Sequence, residues 1–229
     1  MKISAIIYSR LNSKRLKNKA IIKIGKKTLI EQVIDNVKKI KNIDNIILAT
    51  TNLKNDKKLT EIATKNKINF FCGSKSNLIN RTIECSKKYN FDYFLRVCGD
   101  RFYFDYNMID LQLKKIKEKN IQFDMMSSNV VRKVDQGLTI EVVSAKALKK
   151  IVLNNKRISN YNKEHLTSIF YKFRDKHNIK TIKLPSYFYN GFKYTVDIKK
   201  DIERIKFISN NIKKNSFKEL LRVTRLWEK

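Results

Sequence analysis

The chain has 229 residues, a length that suits one α/β domain with a substantial core. It lacks a run of about 18 apolar residues and a secretory h-region, so neither a spanning helix nor a cleaved signal is expected and a cytoplasmic protein is predicted. Its 51 Lys and Arg against 21 Asp and Glu give a formal charge of +30, but the cations are mostly Lys spread along the whole chain rather than Arg and aromatics on one face, so anionic small molecules are expected as partners rather than nucleic acid.

The apolar run 2–8 has the character of a buried parallel strand. The polar loop after it carries Arg10, Lys14, Arg15, Lys17 and Lys19 with Ser and Asn between them. Such a loop suits a polyanion, and it stands where open α/β sheets bind ligands. An extended piece, 20–24, is turned by Gly25. Apolar residues from Leu29 to Ile40 at three- and four-residue steps predict a helix. Residues 45–50 form a second strand, 57–66 a helix, 68–72 a third strand and 77–89 another helix. This alternation is that of a parallel sheet with crossovers, hence a three-layer, Rossmann-like sandwich.

Residues 92–97 form the fourth strand, ending in Cys98-Gly99-Asp100. An acid at the carboxyl end of a central strand can hold Mg²⁺ with phosphate oxygens, or serve as a turn residue or N-cap. A helix over 106–119 and a strand over 123–127 follow. A helix over 144–153 starts at Ser144 as N-cap. A second helix spans 159–176, and His177 is expected at the surface. A strand at 180–184, a loop fixed by Pro185, an aromatic cluster from Tyr187 to Tyr194 and helices over 199–212 and 217–226 complete the chain. Cys72, Cys85 and Cys98 contain no C-x-x-C pair and are expected to be reduced core residues.

The loop reads R-x-x-S-x-R-L-x-x-K through Arg10, Ser13, Arg15, Leu16 and Lys19. This resembles the A-R-x-G-S-x-R-L-P-x-K signature of sugar-activating cytidylyltransferases of the SpsF type, with Ser9, Asn12 and Lys17 replacing its alanine, glycine and proline. The likeness continues through Gly73 to Arg81, with Ser74, Leu78 and Arg81 matching and Asn80 replacing an acid. It continues through Arg96, Gly99, Asp100 and Asp105; Asp124 and Asn129; Gly137, Leu138, Glu141 and Ser144; Glu164 to Thr167; and Thr195 to Asp197.

The resemblance implies a nucleotide-diphospho-sugar transferase sandwich with a mostly parallel sheet and a small β-containing extension, over one domain, 1–229. The extension, about 130–195, would bind sugar and dimerise. The implied reaction moves CMP from CTP to an acidic, 2-keto acid sugar and releases pyrophosphate. Arg10, Arg15 and Lys19 are then the catalytic cations. Ser9, Asn12, Ser13, Ser74, Arg81 and Gly99 are expected at the nucleotide, and Asn129, Glu141 and His165 at the sugar. Asp100 and Asp197 would hold Mg²⁺. On residue type alone, Arg81 also reads as an exposed helical Arg, Glu141 as an edge-strand Glu facing solvent, and His165 as structural. Three alternatives share the pattern: a glycosyltransferase of the same sandwich type, whose Asp-x-Asp motif is absent near Asp100, a nucleotidyltransferase for another base or a polyol phosphate, and a non-catalytic relative that binds nucleotides or nucleic acid.

Overall fold

The computed structural model describes residues 1–13, 15–131, 133–155, 157–214 and 216–229. Strands β1 (Ile3–Tyr8), β4 (Asn45–Thr51), β5 (Asn69–Gly73) and β6 (Tyr93–Cys98) run parallel in the order β5-β4-β1-β6. Along β1, Ile3, Ala5 and Ile7 enter one core cluster while Ile6 and Tyr8 enter another. Both sheet faces are covered, so the strand reads as an apolar run rather than an alternation.

The sheet continues through β8 (Glu141–Ser144), β7 (Met125–Ser127) and β9 (Ile179–Thr181), with β8 antiparallel to both neighbours and β9 parallel to β7. One reversed strand in seven leaves the expected three-layer, mostly parallel sandwich in place. The expected extension therefore contributes its strands to the central sheet. A short hairpin, β2 (Lys23–Ile24) and β3 (Lys27–Thr28), brackets Gly25 with φ 65°. The stretch 20–24 is only partly extended, because Lys19–Ile21 coil into a 3-10 turn.

Helices α1 (Leu29–Lys38), α2 (Lys57–Lys65), α3 (Leu78–Tyr89), α4 (Tyr106–Glu118) and α5 (Ala145–Asn154) cover the faces. Their starts follow capping chemistry. Thr28 Oγ1 accepts from Glu31 N while Glu31 accepts from Thr28 N at 2.8 Å, and Ser144 Oγ accepts from Ala147 N at 3.2 Å.

The predicted helix over 159–176 is broken into α6 (Asn160–Glu164), α7 (Ser168–Lys172) and a 3-10 turn. Ser168 Oγ donates to Asn162 Oδ1 at 2.7 Å and to His165 O at 2.5 Å, side-chain bonds that compete with a continuous helix. His177 is half-buried rather than on the surface, edge-on to Phe170 at 5.1 Å and 3.6 Å from Asp124. Helices α8 (Lys199–Asn211) and α9 (Phe217–Trp227) close a third core cluster around Phe102, Tyr194, Val196 and Ile205. The three cysteines are free thiols. Among the described residues no helix is long and apolar enough to cross a membrane.

Candidate active site

Tyr8 pairs with Ala49 on one side and Cys98 on the other, so β1, β4 and β6 end at one level. The loops after β1 and β6 emerge there side by side. Gly99 N donates to Tyr8 O at 2.8 Å. A Cβ on Gly99 would lie 2.8 Å from Ser9 Cβ and 2.9 Å from Tyr8 O, so only glycine lets the two loops touch.

The loop after β1 is tied to the scaffold. Buried Asp56 accepts from Leu11 N at 2.8 Å and from the Thr51 hydroxyl, and the Leu11 side chain is buried in the core. Asn18 N returns to Leu11 O at 2.9 Å. In this loop, among the described residues, the left-handed conformation falls on Asn18, with φ 58°, and not on Asn12. Asn at the family's glycine position therefore stores no backbone strain there. Lys14 lies outside the described residues, and Lys17 is exposed.

Lys19 is the centre of the charge pattern. Its ammonium lies 2.5 Å from Asp100 Oδ2, 3.0 Å from Val196 O and 3.4 Å from Asp197 Oδ1. Arg15 meets Asp197 Oδ1 at 2.8 Å. The two aspartates, distant in sequence, are stitched together by backbone. Val196 N donates to Asp100 O, Phe102 N donates to Tyr194 O, and Arg101 bridges Thr195. Burial opposes ionisation of Asp197, but Lys19, Lys193 and Arg15 outweigh it and hold the carboxyl below the usual carboxylate range.

Beside this cluster lies a cavity of about 240 Å³, lined by Ser9, Arg10, Ser13, Arg15, Lys19, Arg81, Arg96, Gly99, Asp100 and His165 among others. Its basic side chains number six (10, 15, 19, 75, 81, 96) against two acids (100, 164). Arg81 is buried rather than an exposed helical residue, and its Nε and Nη2 donate to Ser74 O at 3.0 and 2.5 Å. Ser74 thus aims Arg81 rather than lining the cavity itself. Burial pushes the Arg81 pKa down from its ordinary value.

Arg96 reaches the cavity from β6 and is braced from below, where Glu141 Oε2 accepts from its Nη1 at 2.7 Å. Glu141 is neither on an edge strand nor facing solvent. It is 3% exposed and also accepts from Tyr171 OH at 2.9 Å and Thr167 Oγ1 at 3.4 Å. Desolvation would raise its pKa, but Arg96 overrides this and the carboxyl stays depressed. Its lone pairs are thus committed inside the protein.

His165 caps α6, packs tilted against the Tyr161 ring at 4.6 Å and lines the cavity. Asn129 stands apart, its Oδ1 accepting from Val134 N at 2.9 Å, and Asn12 is exposed and off the cavity lining. Asp105 caps α4, and Asp124 accepts from Asn178 N at 3.0 Å. Four residues of the site carry no role in the sequence reading: Lys75, Arg96, Glu164 and Lys193. A lone cation in the apolar run DYFLRV marked Arg96. Nothing in the pattern around Lys193 marks it.

The sequence model of a family described as Cytidylyltransferase matches residues 4–220. An uncharacterized protein of Methanocaldococcus jannaschii is 33% identical over 204 residues, covering 89% of this chain and 81% of its own length. The spore coat polysaccharide biosynthesis protein SpsF of Bacillus subtilis is 24% identical over 207 residues, with 88% and 83% covered. The solved structure of a cytidylyltransferase from Leptospira borgpetersenii superposes with a TM-score of 0.89 at 25% identity, over 100% of this chain and 95% of that one.

Proposed function

The chain belongs to the cytidylyltransferase family, and on that premise we propose that it transfers CMP from CTP to a hydroxyl of an acidic, 2-keto acid sugar, releasing pyrophosphate for cell-surface polysaccharide assembly. The observation that carries this reading is the Lys19 ammonium held between Asp100 and Asp197 at the mouth of a cavity with basic walls. A polyanion entering that cavity meets Arg10, Arg15 and Lys19 on one loop.

The two aspartates fit a divalent cation. Both offer hard carboxylate oxygens to one point, where the Lys19 ammonium now stands in for a cation. Mg²⁺ takes one or two such carboxylates from a protein and fills its remaining positions with phosphate oxygens and water. Held there by Asp100 and Asp197, it would neutralise phosphate charge and favour deprotonation of the attacking hydroxyl.

The chain's own residues do the rest. Arg15 and Lys19 turn to the β- and γ-phosphates, where charge builds as pyrophosphate leaves. Arg10, which reaches Lys75 O at 3.3 Å, holds the loop across the cavity. Ser13 and the Ser9–Gly99 contact set the wall against the phosphates. Arg81 offers its donors to the nucleotide at the inner end. Arg96 and His165 face the acceptor, Arg96 as an anchor for its carboxylate, while Glu141 braces Arg96 from behind. β9 ends the sheet, and its outer edge is where we place a two-fold contact of a homodimer.

The test is pyrophosphate release with each of the four nucleoside triphosphates, Mg²⁺ and a panel of 2-keto acid and neutral sugars. Release confined to CTP with an acidic sugar is the expected result. Release with a neutral sugar or with another triphosphate alone overturns the assignment.

A further inference from the structure

The Asp197 carboxylate is divided between two sets of neighbours. Its Oδ1 faces the cavity cations, Arg15 at 2.8 Å and Lys19 at 3.4 Å. Its Oδ2 faces inward, to Lys193 at 3.3 Å and to Gln136 and Thr195 at 3.4 Å. These two sets differ in freedom. The Arg15 side chain is 68% exposed, on a surface loop, and can turn elsewhere. Lys193 is bolted down, 2.6 Å from Asp201 Oδ2. Asp201 is fixed in turn by Asp197 N at 2.7 Å, Ile198 N at 3.1 Å and Arg204 at 3.0 Å.

Charge counting gives the consequence, which rests on the reading of Asp100 and Asp197 as the cation site. Three carboxylates (100, 197, 201) are paired with four cations (15, 19, 193, 204), so the group offers no net negative charge to a bare dication. Among the described residues no group of three or more His, Cys, Asp or Glu is arranged to hold a metal. Two protein oxygens alone bind a hydrated dication weakly, because most of its ligands must come from elsewhere.

We propose that Lys193 is a positioning residue that reserves Oδ2 of Asp197, and that Lys193 and Lys19 together close the acid pair to a free divalent ion. The ion then enters only as a complex with the triphosphate. The triphosphate supplies the anionic charge to which Lys19 and Arg15 turn. Oδ1 is thereby released to the ion, while Lys193 keeps the carboxylate from rotating.

The test is Mn²⁺ uptake by the full chain, read from loss of the free-ion electron paramagnetic resonance signal, with and without CTP and without acceptor. Wild type takes up Mn²⁺ only with CTP. Lys193→Met and Lys19→Met each bind Mn²⁺ without nucleotide at least tenfold more tightly than wild type, and Lys193→Arg behaves as wild type. Adding Asp197→Asn to Lys193→Met abolishes the gain. If Lys193→Met does not fold, Lys19→Met gives the same reading. A wild type that binds Mn²⁺–CTP yet takes bare Mn²⁺ as tightly as these variants overturns this inference alone. A wild type that binds no CTP, with or without Mn²⁺, overturns the cytidylyl-transfer reading instead.

Discussion

Lys19 makes three polar contacts, to two carboxylates and the Val196 carbonyl. On the proposed reading, truncating it removes a cation that would face developing charge, a loss of about 3–4 kcal/mol of transition-state stabilisation. Lys19→Ala is expected to slow turnover at least a few hundredfold, measured by pyrophosphate release, with thermal unfolding shifted by only a few degrees. Near-normal turnover would remove Lys19 from the mechanism. Gly99 is a steric case. A methyl group there meets Ser9 and the Tyr8 carbonyl well inside contact distance. Gly99→Ala is expected to cost about 1–3 kcal/mol in denaturant unfolding, as for overpacking, and to weaken CTP binding by moving Ser9 and Arg10.

At the scale of elements, the Arg96–Glu141 pair joins β6 to β8 and, through Tyr171, to α7. Breaking a buried pair by removing one partner costs about 3–5 kcal/mol, whereas replacing both by apolar residues costs much less. Glu141→Leu should therefore be strongly destabilised, and Arg96→Met/Glu141→Leu should recover much of the loss, both read from urea unfolding. The Glu141 pKa is depressed in the folded state. Its contribution is fully present above the ordinary carboxylate range and is lost as pH falls through the folded value. The stability of the double variant should thus fall less steeply with acidification than that of wild type.

Element by element, the parts the sequence shows are those that local chemistry dictates. Apolar runs gave β1, β4 and β6, apolar spacing gave α1, and Ser144 announced α5. The break at His165 was hidden because Asn162 and Ser168, which cause it, act across a turn that apolar spacing does not register. In the site, the short motifs placed Arg10, Arg15, Lys19, Asp100 and Asp197 in one neighbourhood. Lys193 stayed invisible because its role depends on Asp201, brought to it by the start of α8. Glu141 looked like an exposed edge residue because nothing local tells an interior antiparallel strand from an edge.

For the whole molecule, the charge of +30 acts as a field over a Debye length of about 10 Å at 0.1 M salt, shortening to about 3 Å at 1 M. The cavity wall carries six basic side chains against two acids, so it shares in that positive field. Raising NaCl from about 0.05 M to about 0.5 M is expected to raise the KM for CTP several-fold and leave kcat nearly unchanged. A salt-independent KM would mean that the excess charge plays no part in capture.

The backbone stitch between residues 100–102 and 194–196 has a temporal side. While the polypeptide is being synthesised, β1, β4 and β6 leave the ribosome long before Asp197 does. On the proposed reading, a nascent chain that already carries the loop after β1 still lacks one of the two aspartates of the site. The same reading expects competence only once the closing third of the chain docks and brings Asp197 beside Asp100.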